Sequence, residues 1–171
     1  MKRSIFTVII AFTMLLTLTA NGLAQQAVKN LRVGVYDNRA ITFAYMGSKY
    51  NPMEKKMTEY IEAKAAGDSA QIKELEAWGP RFQRQLHFQG FGRAPVDDLL
   101  LLVKDKIPDV AKRTGVDLIG WYPDYTGADV EIVDITDELV SLFNPTNEKL
   151  EEIKQITAVE PTPLCDLTND D

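Results

Sequence analysis

The sequence predicts an α+β fold, a small three-stranded sheet body with a helical hairpin inserted between strand 1 and strands 2 and 3. Three observations point to it. Apolar residues alternate over residues 31–37, they recur every three or four positions on both sides of a Gly67-Asp68 turn, and alternation returns over 116–122 and 129–134. A period of two marks a half-buried strand, and a period near 3.6 marks an amphipathic helix. The 171 residues are 45% hydrophobic and 26% charged, with ten Gly, eight Pro and one Cys. These figures fit one small globular domain and exclude wholesale disorder, a fibrous repeat and a disulfide-stapled scaffold.

The chain begins with an export address. Met1-Lys2-Arg3 is a basic start, residues 5–19 are uncharged and largely apolar, and Ala24 ends a run that carries small residues at the −3 and −1 positions of a cut before Gln25. That is the pattern of a cleavable secretory signal peptide, and the uncharged run is shorter than the roughly 20 residues a spanning helix needs. Residues 1–24 are therefore expected to be removed, with no stable membrane insertion afterwards. Losing Lys2 and Arg3 takes the net charge from −6 to −8 over the remaining 147 residues. An acidic total of this size gives no support to a nucleic-acid partner.

Strand 1 contributes Leu31, Val33 and Val35 to one face. A short helix is expected within residues 40–50, after which Asn51, Pro52 and Glu54 mark a helix start of capping-box type. The hairpin, about residues 51–92, carries Met53, Met57, Tyr60 and Ile61 on its first helix and Ile72, Leu75, Trp78, Phe82 and Leu86 on its second. Gly67 suits the end of the first helix and Asp68 or Ser69 the cap of the second, so the two run antiparallel. Gly79-Pro80 predicts a kink or restart in the second helix. Helices of about 15 residues would make the hairpin about 23 Å long.

Pro95, Asp97 and Asp98 start a helix whose run of residues 99–103 implies burial on more than one side, with a bend at Pro108. After the two late strands, Asp134 or Thr136 caps a helix through Leu139, Val140, Leu142 and Phe143, and a last short helix follows Asn144-Pro145. Three short strands leave edges that must be covered by helices or by another copy of the chain. Residues 160–171 hold four acidic residues and no basic one, and read as an acidic disordered tail. Cys165 in that tail has no intrachain partner, which leaves a cross-link between copies open.

One segment departs from the acidic background. Between Glu76 and Asp97 there is no acidic residue, while Trp78, Arg81, Phe82, Arg84, His87, Phe88, Phe91 and Arg93 follow one another closely. The arginines can pair carboxylates or phosphates and the rings can stack or bury, so the segment is a candidate partner-binding surface. Helical periodicity offers the alternative that Trp78, Phe82 and Leu86 are simply a buried stripe. Catalytic candidates are thin. His87 has no Ser, Cys or second His at motif spacing, Asp97 and Asp98 sit where a helix dipole favours carboxylates, and Gly90-Phe91-Gly92-Arg93 lacks the end of a phosphate loop. No catalytic residue, metal ligand or cofactor is assigned.

Three stretches together resemble the OmpH family of Skp-like periplasmic chaperones. They are the early strand of residues 31–41 (LRVGVYDNRAI), residues 106–119 (KIPDVAKRTGVDLI), and residues 133–140 (VDITDELV). The resemblance covers about half of the mature chain and marks residues 25–159 as an OmpH/Skp-like domain with a shortened hairpin. It implies a homotrimer whose strands combine in a central body, helical hairpins that hold unfolded or outer-membrane polypeptides, a periplasmic location, and binding without catalysis. The alternative kept beside it is an envelope protein that captures a ligand or partner through residues 78–93.

Overall fold

The computed structural model describes residues 30–167, so the expected export segment, residues 1–24, lies outside the described residues. Its sheet is centred on β1 (Leu31–Val35), with β2 (Leu118–Ile119) on one side and β3 (Val130–Asp134) on the other, both parallel to it. Val33 lies between Leu118 and Ile132. The fold is α+β, and the hairpin enters between the first strand and the other two. β2 and β3 do not pair with each other, because β1 separates them. The strand expected over 116–122 is reduced to two residues. Asp117 N–H donates to Arg32 O and Gly120 N–H to Gly34 O, after which the indole of Trp121 turns toward Asn38.

The helices follow local chemistry closely. In α1 (Asn38–Met46), the Asp37 carboxylate accepts from Arg39 N–H. At the head of α2 (Met53–Ala66), Asn51 Oδ1 accepts from Met53 N–H at 3.1 Å, whereas Asn51 N–H donates to Ser48 O. The expected reciprocal bond from Glu54 is thus replaced by a turn bond. Gly67 ends α2 at φ 72°, a left-handed conformation that suits glycine, and Asp68 caps α3 (Ser69–Phe91) by accepting from Ala70 and Gln71 N–H.

α3 runs unbroken through Gly79-Pro80, which corrects the expected restart. Pro80 and Glu76 are both exposed, so water can take the Glu76 carbonyl that proline leaves without an N–H. The helix spans 23 residues, about 35 Å at 1.5 Å per residue. The hairpin therefore has one arm longer than expected.

The run 99–103 is corrected in the other direction. It breaks into α4 (Asp97–Leu101), a 3₁₀ turn (Lys104–Lys106) and α5 (Ile107–Thr114), with Pro108 in the first turn of α5 instead of at a bend. Leu99 and Val103 are buried while Leu101 and Leu102 are exposed, so short helices bury one side only. Asp134 accepts from Thr136 N–H at the start of α6 (Thr136–Ser141), and Thr146 caps α7 (Asn147–Thr157).

Ile41, Val96, Leu99, Val110, Ile135, Leu139 and Val140 make the core, which lies on one face of the sheet. Gly34 belongs to that face, and a Cβ there would stand 2.8 Å from Ile135 Cδ1, so the close approach needs glycine. The other face carries Val33, itself buried, between Leu118 and Ile132, which are 55% and 40% exposed; none of the three belongs to the helix-packed cluster. Residues 160–167, expected to be disordered, instead pack on the end of α3: Thr162 pairs with Gly92 and Leu167 is buried. Leu164 and Leu167 supply the apolar contact.

Candidate functional site

The segment 78–93 does not form one surface, because the turn of α3 sends its residues in different directions. The Trp78 and Phe82 rings stack with centroids 4.7 Å apart, and Lys56 Nζ stands 6.0 Å from the Trp78 ring. Arg81 and Arg84 are exposed. The His87 ring lies 5.0 Å from Phe91 and 6.5 Å from Phe88, and Phe91 meets Phe43 edge-on at 5.9 Å. His87 Nε2 is buried without a hydrogen-bond partner. Arg93 leaves past the helix end in another direction, its guanidinium 4.2 Å from the Tyr122 ring and Nη2 donating to the Tyr122 hydroxyl at 3.4 Å. The expected Arg/aromatic patch is thereby divided among a hairpin groove, solvent and the end of the sheet.

The groove is the larger apolar feature. Met53, Met57, Tyr60, Trp78 and Pro80 border a cavity of about 190 Å³. A second cavity of about 610 Å³ shares Met53, Gly79 and Pro80 with it and continues to Phe43, Met46, Leu86, His87 and Phe91. Within the hairpin from Met53 to Leu75 only Ala63 and Leu75 are buried, whereas Met57 is 53% and Ile61 62% exposed. Methionine adapts its unbranched side chain to irregular partners, so this surface suits varied apolar contacts.

The sheet end holds a different crevice of about 360 Å³, where Asp37, Arg39, Arg93, Trp121, Asp134 and Thr136 meet residues 158–161. It opens beyond the carboxyl end of the central strand of a parallel sheet, where the strand order changes direction and ligands commonly bind. Its walls are tightly fastened. Arg39, with 4% side-chain exposure, donates to both Asp37 oxygens and, through Nη1, to Ile156 O and Val159 O. Asn38 Nδ2 donates to Gln89 O and Gly92 O, both at 2.8 Å, and its Oδ1 accepts from Trp121 Nε1. Asp37 and Arg39 follow directly on the first strand, whereas nothing local singles out Asn38 and Trp121, whose partners lie 51 to 83 positions away. Burial, and secondarily the Asp97 charge, pushes the Tyr36 phenol up from its ordinary pKa.

No family model, curated protein or solved structure matches this chain. What the site can do is therefore read from its geometry. Asp98 accepts from Gln85 Nε2 at 2.6 Å and from Gln89 Nε2 at 2.8 Å, tying α4 to α3, while the imidazole of His87 lies tilted and edge-on among the rings of Phe88 and Phe91. Carboxylate and imidazole are thus engaged in separate contacts. Among the described residues no group of three or more His, Cys, Asp or Glu is placed to hold a metal ion, and no helix is long and apolar enough to cross a membrane.

Proposed function

We propose that the protein is an exported, Skp-like holdase that binds unfolded or outer-membrane polypeptides without catalysis, in the manner the OmpH resemblance implies. One observation carries the reading: the exposed row of Met53, Met57 and Ile61 on α2, of which Met53 and Met57 border a groove shared with Trp78, on an outer hairpin that buries only Ala63 and Leu75 between residues 53 and 75. Single exposed apolar residues are ordinary, but a contiguous apolar row beside an open groove marks a contact surface. A holdase needs this kind of surface, which offers apolar area and adaptable side chains without a shape-specific lock.

The homotrimer belongs to the same proposal. All-parallel sheets are nearly always covered on both faces, yet this one packs helices on a single face and leaves Leu118 and Ile132 exposed beside Val33. Further copies of the chain supply the missing cover. Light scattering on residues 25–171 should give three times the mass of the 147-residue chain. An unfolded outer-membrane β-barrel protein diluted from denaturant should aggregate more slowly in its presence. Met57→Ser with Ile61→Ser should remove most of that delay and leave the melting temperature within about 2 °C, since both side chains are exposed. A monomer that leaves aggregation unchanged would sink the reading.

A further inference from the structure

Residues 161–167 form a strap on the end of α3. Thr162 N–H donates to Phe91 O at 2.9 Å and pairs with Gly92 in a parallel bridge. Leu164 and Leu167 close over Gly92. A Cβ at that position would lie 2.6 Å from Leu164 Cδ2 and 2.9 Å from Leu167 Cδ1. The Gly92 backbone is extended at φ −104° and ψ −177°, so any residue could adopt its dihedral angles. Glycine is needed there for the approach of the two leucines. Leu167 is buried and Leu164 is 45% exposed, while Pro163, Cys165 and Asp166 face solvent.

The strap is thus held by a backbone hydrogen bond and two apolar side chains three residues apart. Asp166 N–H donates to Pro163 O at 2.9 Å, so the chain turns between the two leucines and sets both on Gly92, contacts that any segment turning in the same way can make. Two further features make the seat exchangeable. Arg39 fastens Ile156 O and Val159 O, so the strap can leave after residue 160 without unwinding α7. Phe91, whose carbonyl receives Thr162, also walls the apolar groove with Phe43, His87 and Met53.

We infer that the shelf formed by Phe91 and Gly92 is a binding site for a polypeptide segment that turns so that leucine-like side chains at positions i and i+3 lie on one side, occupied in cis by the chain's own residues 161–167. The inference deepens the polypeptide-binding reading above and names the site that a bound segment takes over. A tethered strap competes at an effective concentration near millimolar, so the free site should bind more tightly than the covered one.

The test uses the full chain and a fluorescent peptide copying residues 160–167 with Cys165→Ser. The variant Leu164→Asp with Leu167→Asp, which releases the strap, should bind the peptide saturably and about tenfold or more tightly than the wild type. Adding Gly92→Val to the released variant should abolish binding. Equal affinity in wild type and released variant, or binding that survives Gly92→Val, overturns the inference. So does absence of binding by a released variant whose circular dichroism and melting match the wild type. If the double variant loses its cooperative melt, Thr162→Pro replaces it with the same readings, since it removes the N–H donated to Phe91 and keeps both leucines. The chaperone reading fails separately. Peptide exchange without any delay of client aggregation retains the shelf and removes the holdase, while delay of aggregation without peptide exchange retains the holdase and removes the shelf.

Discussion

The body and the hairpin use apolar residues in opposite ways. In the body, Ile41, Ile135, Leu139 and Val140 are fully buried, and the buried polar residues Asn38 and Arg39 bind backbone carbonyls of distant segments. The outer hairpin buries Ala63 and Leu75 and exposes Met53, Met57 and Ile61. Its own cohesion is local: Lys56 pairs with Glu59 at 2.8 Å, Lys64 lies over the Tyr60 ring, and the Tyr60 hydroxyl donates to Glu76 across the two helices. Exposed pairs of this kind are screened by water and contribute little, whereas a buried core side chain contributes far more. The difference separates the part that sets stability from the part that is free to bind.

Three perturbations can break or sharpen that division. Arg39→Ala should have the largest effect, lowering stability in urea by about 3 kcal/mol. It leaves Asp37 without its cation and the Ile156 and Val159 carbonyls without their donor. Hydrogen exchange should then rise in β1 and α7, and a loss confined to the hairpin would contradict the division.

Next comes Gly67→Ala. At φ 72° an added Cβ meets no neighbour, so the cost is backbone strain alone, about 1 kcal/mol. Amide protection should fall in α2 and the first half of α3 and stay unchanged in β1. An equal fall throughout would mean that hairpin and body open as one unit.

The smallest effect is a pH dependence that belongs to the body. Burial, followed by a nearby aspartate, raises the pKa of Tyr36 and Tyr45 in the folded chain. A raised folded pKa means that folding favours the protonated phenol. The associated stability is complete below about pH 10, the ordinary tyrosine value, and is lost as pH rises through the folded values. The melting temperature should fall above pH 10, and Tyr36→Phe with Tyr45→Phe should flatten that fall.

Much of the fold was legible because short-range chemistry decides it. Gly67 and Asp68 placed the hairpin turn, alternation placed β1 and β3, and Asp134 placed the start of α6, each through contacts within a few residues. Features set by distant partners were not legible. Two apolar alternations say nothing about which strand stands between them, and Asn38 looks like any helix-start residue until Gln89, Gly92 and Trp121 surround it. Pro80 misled because its cost depends on exposure, which one sequence does not give. At the site, the apolar spacing of Met53, Met57 and Trp78 was visible. The departure of Arg93 toward Tyr122 and the seating of Leu164 and Leu167 on Gly92 depend on where the chain goes after α3 ends.

The central position of β1 also fixes an order of events. Arg32 bonds to Asp117 and to Glu131, 85 and 99 positions further along, while the two hairpin helices meet across a turn of a few residues. Closing short loops takes well under a microsecond, and long-range strand pairing is far slower because its loop entropy must be overcome first. The hairpin should therefore form early, and the sheet should close only after residue 134 has emerged, with β1 unpaired until then. The slow step in refolding is the insertion of the first strand between the last two.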